Sequence, residues 1–99
     1  MLKKVFTPKR TVCKVTFSIP QDWAENGVQL VGDFNDWNED SDSMDLKKGK
    51  WEITLRLSPD STYRFKYLID QKRWENDDAA DSYVTNIFGS EDSILEIGK

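Results

Sequence analysis

Several short segments in which apolar and polar residues alternate, separated by turn-forming residues, predict an all-β fold for this chain. No stretch shows a sustained helical period, and the 99 residues suit one domain rather than two. Together these observations predict an antiparallel β-sandwich of the immunoglobulin-like class. We expect residues 1–10 to form an N-terminal extension and residues 11–99 to form the single sandwich module.

The first clear strand is predicted from Cys13 to Ile19, where every second residue is apolar, and it ends at Pro20. A polar connection follows over residues 21–26. The next strand is predicted over residues 28–33, after Gly27. The alternation in the first of these strands is the pattern expected when one face of a sheet is buried and the other meets solvent.

A polar loop is predicted over residues 35–50, with a turn at Lys48-Gly49. Alternation resumes in a strand predicted from Trp51 to Leu57. Trp51 shares the apolar face of that strand, so we assign its indole to the core.

The sequence Ser58-Pro59-Asp60-Ser61 predicts a turn between antiparallel neighbours, because proline sets φ at the second turn position and Asp or Ser caps the turn. In the strand that follows, one face carries Tyr63, Phe65, Tyr67 and Ile69, and the other carries Arg64, Lys66 and Leu68. After a loop over residues 70–73, shorter strands are expected near Trp74 and over residues 83–85 and 94–97.

Composition and charge argue against several classes of function. Asp and Glu number 18 against 14 Lys and Arg, the net charge is −4, and the basic residues are spread along the chain. Nucleic acids and membranes are therefore not expected as partners, because binding phosphate groups needs a concentrated basic face. With no histidine and Cys13 as the single cysteine, an internal disulfide or a cysteine zinc site is excluded. The N-terminus lacks the apolar run of a secretory signal, so we expect a cytoplasmic location.

Two of the four tryptophans stand among polar residues. Trp37 lies in an Asn-, Asp- and Ser-rich stretch over residues 35–43, and Trp74 lies between a charged turn and an acidic run. Such neighbours supply almost no apolar wall, so an indole there is expected to be partly exposed and to mark a contact surface. Each alone is equally consistent with a structural loop anchor, but the pair favours binding. Trp23, near Pro20, is expected to pack over one end of the sandwich.

Lys66 is expected on the strand face that does not form the core, because it points away from Phe65 and Tyr67. Alone, such a lysine is typical of a solvated surface. Beside exposed indoles it suits a neutral polyhydroxylated ligand, since aromatic rings cover the C–H face of a pyranose while Lys, Asn and Ser bond its hydroxyls.

In the acidic loop, oxygen-bearing residues occupy alternate positions from Asp36 to Asp42, as in the first half of a calcium-binding EF-hand loop. The EF-hand pattern then fails, with Ser41 where the glycine belongs and Lys47 where the bidentate glutamate belongs. We therefore predict no metal site.

An enzymatic function would depend on carboxylates, because no histidine is present to activate a Ser or Cys nucleophile. Glycoside hydrolysis needs two carboxyl groups that face each other across a cleft. The acidic residues cluster in loops of solvated character, and a sandwich of this size offers little depth for a cleft. We predict no catalytic residues and no cofactor.

Several motifs match a known family, namely Gly32-Asp33-Phe34-Asn35-Asp36-Trp37, the strand from Trp51 to Leu57, Tyr63-Arg64-Phe65-Lys66-Tyr67-Leu68-Ile69-Asp70, Trp74 and Asp77. Through these motifs, residues 28–97 resemble the glycogen-binding modules of carbohydrate-binding module family 48. Such modules occur in β-subunits of AMP-activated protein kinases, and related domains precede branching and isoamylase-type debranching enzymes. The resemblance implies an early-set immunoglobulin-like sandwich that binds α-1,4-glucans such as glycogen or starch. It also implies a glycogen-metabolising enzyme or a kinase as a protein partner.

The resemblance implies six sugar-contacting residues, which are Trp37, Lys66, Trp74, Phe88, Ser90 and Asp92. The two tryptophans are implied to stack on glucose rings and the lysine to bind hydroxyls. Phe88, Ser90 and Asp92 stand where the family has leucine, threonine and asparagine. The turn Asp70-Gln71-Lys72-Arg73 lacks the glycine of the family turn and is one residue longer.

We therefore predict a non-catalytic module that binds α-glucans by aromatic stacking. The rival hypothesis is a protein-interaction or regulatory domain of the same fold with a degenerate sugar site. In that case Trp37 and Trp74 would anchor a partner or plug their own loops.

Overall fold

The computed structural model describes residues 2–98, and over this range the secondary structure is β-strand apart from two short 3₁₀ turns, Gln21–Trp23 and Asp33–Asn35. The strands are β1 (Leu2–Phe6), β2 (Cys13–Pro20), β3 (Val28–Gly32), β4 (Asp45–Lys47), β5 (Lys50–Leu57), β6 (Ser61–Ile69), β7 (Arg73–Glu75), β8 (Ser82–Thr85) and β9 (Glu91–Ile97). The strands predicted from apolar alternation are confirmed, with ends that differ by one to three residues.

Two antiparallel sheets form the sandwich. The first has the strand order β1-β2-β5-β4, and the second has the order β3-β6-β9-β8, with β7 also paired to β6. The predicted immunoglobulin-like β-sandwich is confirmed by this arrangement.

The core lies between the two sheets and is built from their alternating inward residues. Phe17 of β2 packs edge-on against Phe65 of β6, with ring centroids 5.2 Å apart. Trp51 is buried, as predicted, and its Nε1 donates a hydrogen bond to the backbone oxygen of Gln21 at 3.2 Å. Trp23 packs half-buried against this core, which confirms its predicted structural role.

The structure differs from the sequence analysis at β1, which occupies half of the predicted N-terminal extension and pairs with β2 along its whole length. Leu2 and Phe6 pack against the core, but Lys4 takes the inward position between them. The sequence of this strand therefore shows no alternation of apolar and polar residues. Its ammonium group reaches the other sheet, donating to Asp81 Oδ2 at 2.6 Å and to the backbone oxygen of Glu96 at 2.7 Å. An inward lysine is stable here because its stem is apolar and its charge is paired.

A second unpredicted strand, β4, lies inside the long polar loop and pairs with β5. All three of its residues are exposed, so no burial pattern marks it in the sequence. The predicted turn at Lys48-Gly49 is confirmed. Both residues have left-handed backbone angles, with φ of 49° and 82°, as a two-residue type I′ hairpin requires.

The turn between β6 and β7 is held by a single carboxylate. Asp70 accepts hydrogen bonds from the backbone N–H groups of Glu25, Asn26 and Gly27 at 3.0, 2.7 and 3.0 Å. Asp70 and Gln71 both have left-handed φ angles, of 52° and 59°. The turn therefore reaches Trp74 without the glycine of the family pattern, and the β2–β3 connection fixes its position.

The same bonds predict a pH-dependent stability. Hydrogen bonds from the N–H groups of Glu25, Asn26 and Gly27 lower the pKa of Asp70, since they favour its charged form. A depressed pKa in the folded state gives stability that is complete above the ordinary aspartate pKa of about 4 and is lost as the pH falls through the folded value. Asp70→Asn should lower the thermal midpoint at pH 7, and this difference should shrink on acidification below about pH 4.

Thermal denaturation followed by circular dichroism at pH 7 and pH 3 checks this expectation. Asp45→Asn, on the exposed strand β4, removes the same charge and serves as the control. A deficit of Asp70→Asn that stays constant with pH would contradict the role given to the carboxylate.

Candidate functional site

The register of the second sheet places Lys66 and Trp74 on the same outward face. Trp74 of β7 lies directly opposite Leu68 of β6, so the two side chains share a face. Lys66 is two residues from Leu68 along β6 and therefore points the same way. Strand pairing alone therefore places Lys66 and Trp74, two of the predicted site residues, on the same face of the sheet.

The outward face continues onto β9. Ile94 pairs with Arg64 of β6, so Asp92, two residues before Ile94, also faces outward. Asp92 is 5% exposed, and its two oxygens lie 3.9 Å from the Lys66 ammonium and 4.0 Å from the Arg64 guanidinium. Two cations thus face one buried carboxylate, which is the pairing a buried charge requires.

Gly32 allows the loop that carries Trp37 to lie against β6. A Cβ atom at this position would stand 2.5 Å from the backbone oxygen of Arg64 and 2.8 Å from the Cβ of Phe65. Such distances are not tolerated, so only glycine fits this close approach of two backbones. The loop begins at this point with the 3₁₀ turn Asp33–Asn35.

Asp33 orients the Trp37 indole. One carboxylate oxygen accepts the Nε1–H of Trp37 at 2.9 Å, and the other accepts the backbone N–H of Arg64 at 2.8 Å. One side chain therefore ties the indole to the strand that carries Lys66.

Phe34 and Asn35 fix the rest of the loop. The Phe34 ring lies with its centroid 5.7 Å from that of Phe17 and 5.9 Å from that of Tyr63, so it anchors the turn to the core. Asn35 accepts a hydrogen bond from the Gly32 N–H at 3.1 Å and donates through Nδ2 to the Leu30 oxygen at 2.9 Å.

Trp37 itself has a left-handed backbone, with φ of 59°, and Asp36 before it has φ of 56°. This conformation is rare for a bulky residue and costs about 1–3 kcal/mol. It persists because the Trp37 N–H donates to the Gly32 oxygen at 2.9 Å while Asp33 holds the indole. The half-buried indole is therefore held in one orientation rather than free on a flexible loop.

Asn86 organises the loop between β8 and β9. Its Oδ1 accepts the N–H groups of Phe88 and Ser90 at 2.9 and 3.2 Å, and its Nδ2 donates to Ser90 Oγ at 2.9 Å and Asp92 Oδ1 at 3.1 Å. The loop tip that results presents Ile87 and Phe88 to solvent, with exposed fractions of 94% and 86%. These two neighbouring apolar side chains are therefore free to contact a ligand or partner.

A buried network supports the segment that follows Trp74. The Tyr67 hydroxyl donates to Asp77 Oδ2 at 2.6 Å, and the Asp77 N–H donates to Ser93 Oγ at 2.9 Å. Burial raises the pKa of Tyr67 well above its usual value, and the Asp77 carboxylate adds to the increase. Tyr67 therefore stays protonated and donates to Asp77. This bond holds the segment that follows β7 against the sheet.

These elements enclose an open cavity of about 830 Å³. Its lining residues are Asp33, Trp37, Arg64, Lys66, Trp74, Asn86, Ile87, Phe88, Ser90 and Asp92. The structure thus brings all six predicted site residues to one concavity. The Lys66 ammonium donates to Ser90 Oγ at 3.3 Å, and Trp74 is 42% exposed.

The sequence analysis missed four of the lining residues, which are Asp33, Arg64, Asn86 and Ile87. Arg64 carried a usable signal, because it shares the outward strand face with Lys66. The Asn86 contacts give no signal in a single sequence, since they depend on the fold of the loop.

Within residues 2–98, no group of three or more Cys, Asp or Glu side chains is placed to hold a metal ion. Over the same range, no helix is long and apolar enough to cross a membrane.

The double hydrogen bond of Asp33 leads to a stability prediction. Asp33→Ala should lower the free energy of unfolding by about 1–3 kcal/mol, because the indole and the Arg64 N–H each lose an acceptor. Urea denaturation monitored by far-ultraviolet circular dichroism measures the change. Asp45→Ala, an exposed aspartate on β4, is the control, and equal stabilities of the two variants would contradict the bridging role.

A β-sandwich that presents an open cavity, lined by two tryptophans and by hydrogen-bonding residues, has the architecture of a carbohydrate-binding module. The comparison with known families agrees: the sequence model of carbohydrate-binding module 48, the isoamylase N-terminal domain, matches residues 6–84. The chain belongs to this family, as the motif resemblance predicted.

A similar protein is the 1,4-alpha-glucan branching enzyme GlgB of Lactobacillus acidophilus. It is 41% identical over 51 residues, which is 50% of this chain and 8% of the enzyme. The match therefore covers a small part of that enzyme's length.

Proposed function

We propose that this module binds α-1,4-linked glucans without catalysing their conversion. The observation that carries the proposal is that Trp37, Trp74 and Lys66 line one open cavity. Each indole offers a flat apolar face to the C–H surface of a glucose ring, and the Lys66 ammonium, which lines the same cavity, donates to sugar hydroxyls.

The other lining groups have separate roles. Ser90 donates its hydroxyl hydrogen to a sugar oxygen, because its Oγ already accepts from Lys66 and Asn86. Asp92 acts as an acceptor for a sugar hydroxyl, and its contact with Lys66 holds both groups in position. Phe88 extends the aromatic platform at the loop tip. Because Asn86 fixes this loop, little order has to be gained when the sugar binds.

The open cavity implies a modest affinity. Each stacking contact adds about 0.5–1.5 kcal/mol beyond its area burial, and association costs offset part of that gain. For an open, shallow site we expect a net binding free energy of about −4 to −7 kcal/mol, which corresponds to roughly millimolar to ten micromolar dissociation constants. Selectivity should come from curvature, since a flat β-1,4 chain does not lie on both indoles in the way that a coiled α-1,4 chain does.

A non-catalytic role is supported by the two carboxylates that line this cavity in the described part of the chain. Asp33 is engaged by Trp37 and by the Arg64 N–H, and Asp92 is buried and faces Lys66. Neither has the arrangement of an acid and base pair across a glycosidic bond. We expect no reducing ends to be released when the module is incubated with amylose.

Tryptophan fluorescence during titration tests the proposal. β-Cyclodextrin and maltoheptaose should give a saturable change, whereas cellohexaose, a β-1,4-linked chain, should give none. No response to millimolar α-glucan would count against the proposal.

The second candidate function is a protein-interaction module. The exposed pair Ile87 and Phe88 favours it, because apolar side chains of this kind act as anchors in protein interfaces. Failure of all α-glucans to bind, together with a folded chain, would favour this candidate.

We infer further that the module acts with a cytoplasmic enzyme or kinase of glycogen metabolism and supplies its attachment to the polymer. The relative is an alpha-glucan branching enzyme of which the matched region is only 8%. A matched region that is so small a part of the enzyme has the size of a binding module.

A further inference from the structure

The second sheet opens at one point along the edge of β6. This edge pairs with β9 as far as Phe65 and with β7 from Tyr67 onward. Lys66 lies between the two pairings, where β9 and β7 separate. A gap in the outward face is the direct consequence of this change of partner.

A second cavity of about 530 Å³ adjoins the first at this gap. Lys66, Trp74 and Ser90 line both cavities, so the two are neighbours that share these three residues. Both volumes fall within the range of ordinary ligand sites, which is about 300–1,000 Å³.

The second cavity combines aromatic surface with hydrogen-bonding groups. Trp23 and Tyr83 add to Trp74, and Tyr83 is 43% exposed. The Tyr83 hydroxyl donates to the Asp77 backbone oxygen, so the ring is fixed in place. The other polar residues that line the cavity are Glu75, Asn76, Asp77, Asp78 and Glu91, of which Asp77 is fully buried.

The chemistry of this lining indicates a neutral, hydroxyl-rich ligand. Asp78 and Glu91 are exposed, and their carboxylates can accept hydrogen bonds from hydroxyl groups. The same charges repel phosphate-bearing glucans, since like charges close together are destabilising.

We propose that the second cavity is a further subsite, in which the next glucose units of the same α-glucan chain bind beyond Trp74. This inference rests on the proposed function, because the three residues shared with the first cavity give the ligand its identity. The module then binds a longer stretch of glucose units than the first cavity alone accommodates. Chain length becomes a determinant of affinity.

Calorimetric titration with maltotriose, maltoheptaose and β-cyclodextrin tests the subsite. In the variant Asp78→Ala/Glu91→Ala, the ratio of maltoheptaose to maltotriose affinity should fall by about threefold or more, as the loss of one or two hydrogen bonds predicts. β-Cyclodextrin, a closed ring with no free end to extend into the second cavity, should bind with unchanged affinity. Longer chains also offer more binding registers, but that statistical gain is the same in both proteins.

The control variant is Glu39→Ala/Asp45→Ala, which removes two exposed carboxylates that line neither cavity and changes the net charge equally. It should leave all three affinities unchanged. An unchanged affinity ratio in Asp78→Ala/Glu91→Ala would overturn the second subsite, and so would an equal loss of β-cyclodextrin binding. Failure of the unaltered chain to bind β-cyclodextrin would instead overturn the proposed function itself.

Discussion

Replacing Trp37 or Trp74 with alanine is expected to weaken β-cyclodextrin binding by about tenfold or more in each case, and replacing both should abolish measurable binding. Each change removes a stacking contact worth about 0.5–1.5 kcal/mol together with the apolar area that the ring buries. A tenfold loss corresponds to about 1.4 kcal/mol, so the estimate follows from these two contributions. Isothermal titration calorimetry is the suitable measurement, because the substitutions also remove the fluorescent probe.

The two single variants should differ in their effect on stability. Trp37 donates to Asp33 and lies in a strained loop, whereas Trp74 is an edge-strand residue that is 42% exposed. Thermal denaturation should therefore be run beside each titration. Trp74→Phe keeps an aromatic face and should retain part of the affinity.

Leu46→Ala is the matched control for Trp74→Ala. Leu46 is 48% exposed, compared with 42% for Trp74, but it lies on β4 in the other sheet. It should not change the affinity. If Trp74→Ala bound β-cyclodextrin as tightly as Leu46→Ala does, the stacking mechanism would be wrong.

The fold followed from the sequence wherever one face of a strand is apolar and the other polar. In β2 the inward residues Cys13, Val15, Phe17 and Ile19 are all at most 2% exposed, as their alternation predicted. The prediction missed β1 because Lys4 occupies an inward position there. The ion pair that makes this position acceptable, with Asp81, joins residues 77 positions apart and leaves no local pattern.

The site was predictable to the extent that strand register determines it. Alternation alone places Lys66 outward, and the same argument extends to Arg64. The position of Trp37 is different, because its indole is held by Asp33, which in turn binds β6 through the Arg64 N–H, 31 residues away. The prediction of Phe88 and Ser90 came from family resemblance, since the loop between β8 and β9 has no periodic pattern to interpret. The prediction of Asp92, which lies on β9, came from the same resemblance.

Gly32→Ala is expected to destabilise the fold and to disrupt the site together. The new Cβ would stand 2.5 Å from the Arg64 oxygen and 2.8 Å from the Phe65 Cβ, and backbone atoms cannot move aside as a flexible side chain does. Overpacking of this kind costs about 1–3 kcal/mol. The thermal midpoint of a domain of this size should fall by about 4 °C or more. Because the backbone must shift where the Trp37 loop begins, affinity for β-cyclodextrin should also fall at temperatures where the protein remains folded.

Gly27→Ala is the matched control, since a Cβ atom there would meet no atom within 4 Å. Both substitutions change the entropy of the unfolded chain equally, so the difference between them isolates the contact at Gly32. Measuring both the thermal midpoint and the β-cyclodextrin affinity separates the effect of Gly32 on stability from its effect on the position of Trp37. A stability loss with unchanged affinity would mean that the loop adapts without moving the Trp37 indole. Equal stability of the two variants would show that close approach of β3 to β6 does not constrain this position, and the account of how Trp37 is presented would then have to be abandoned.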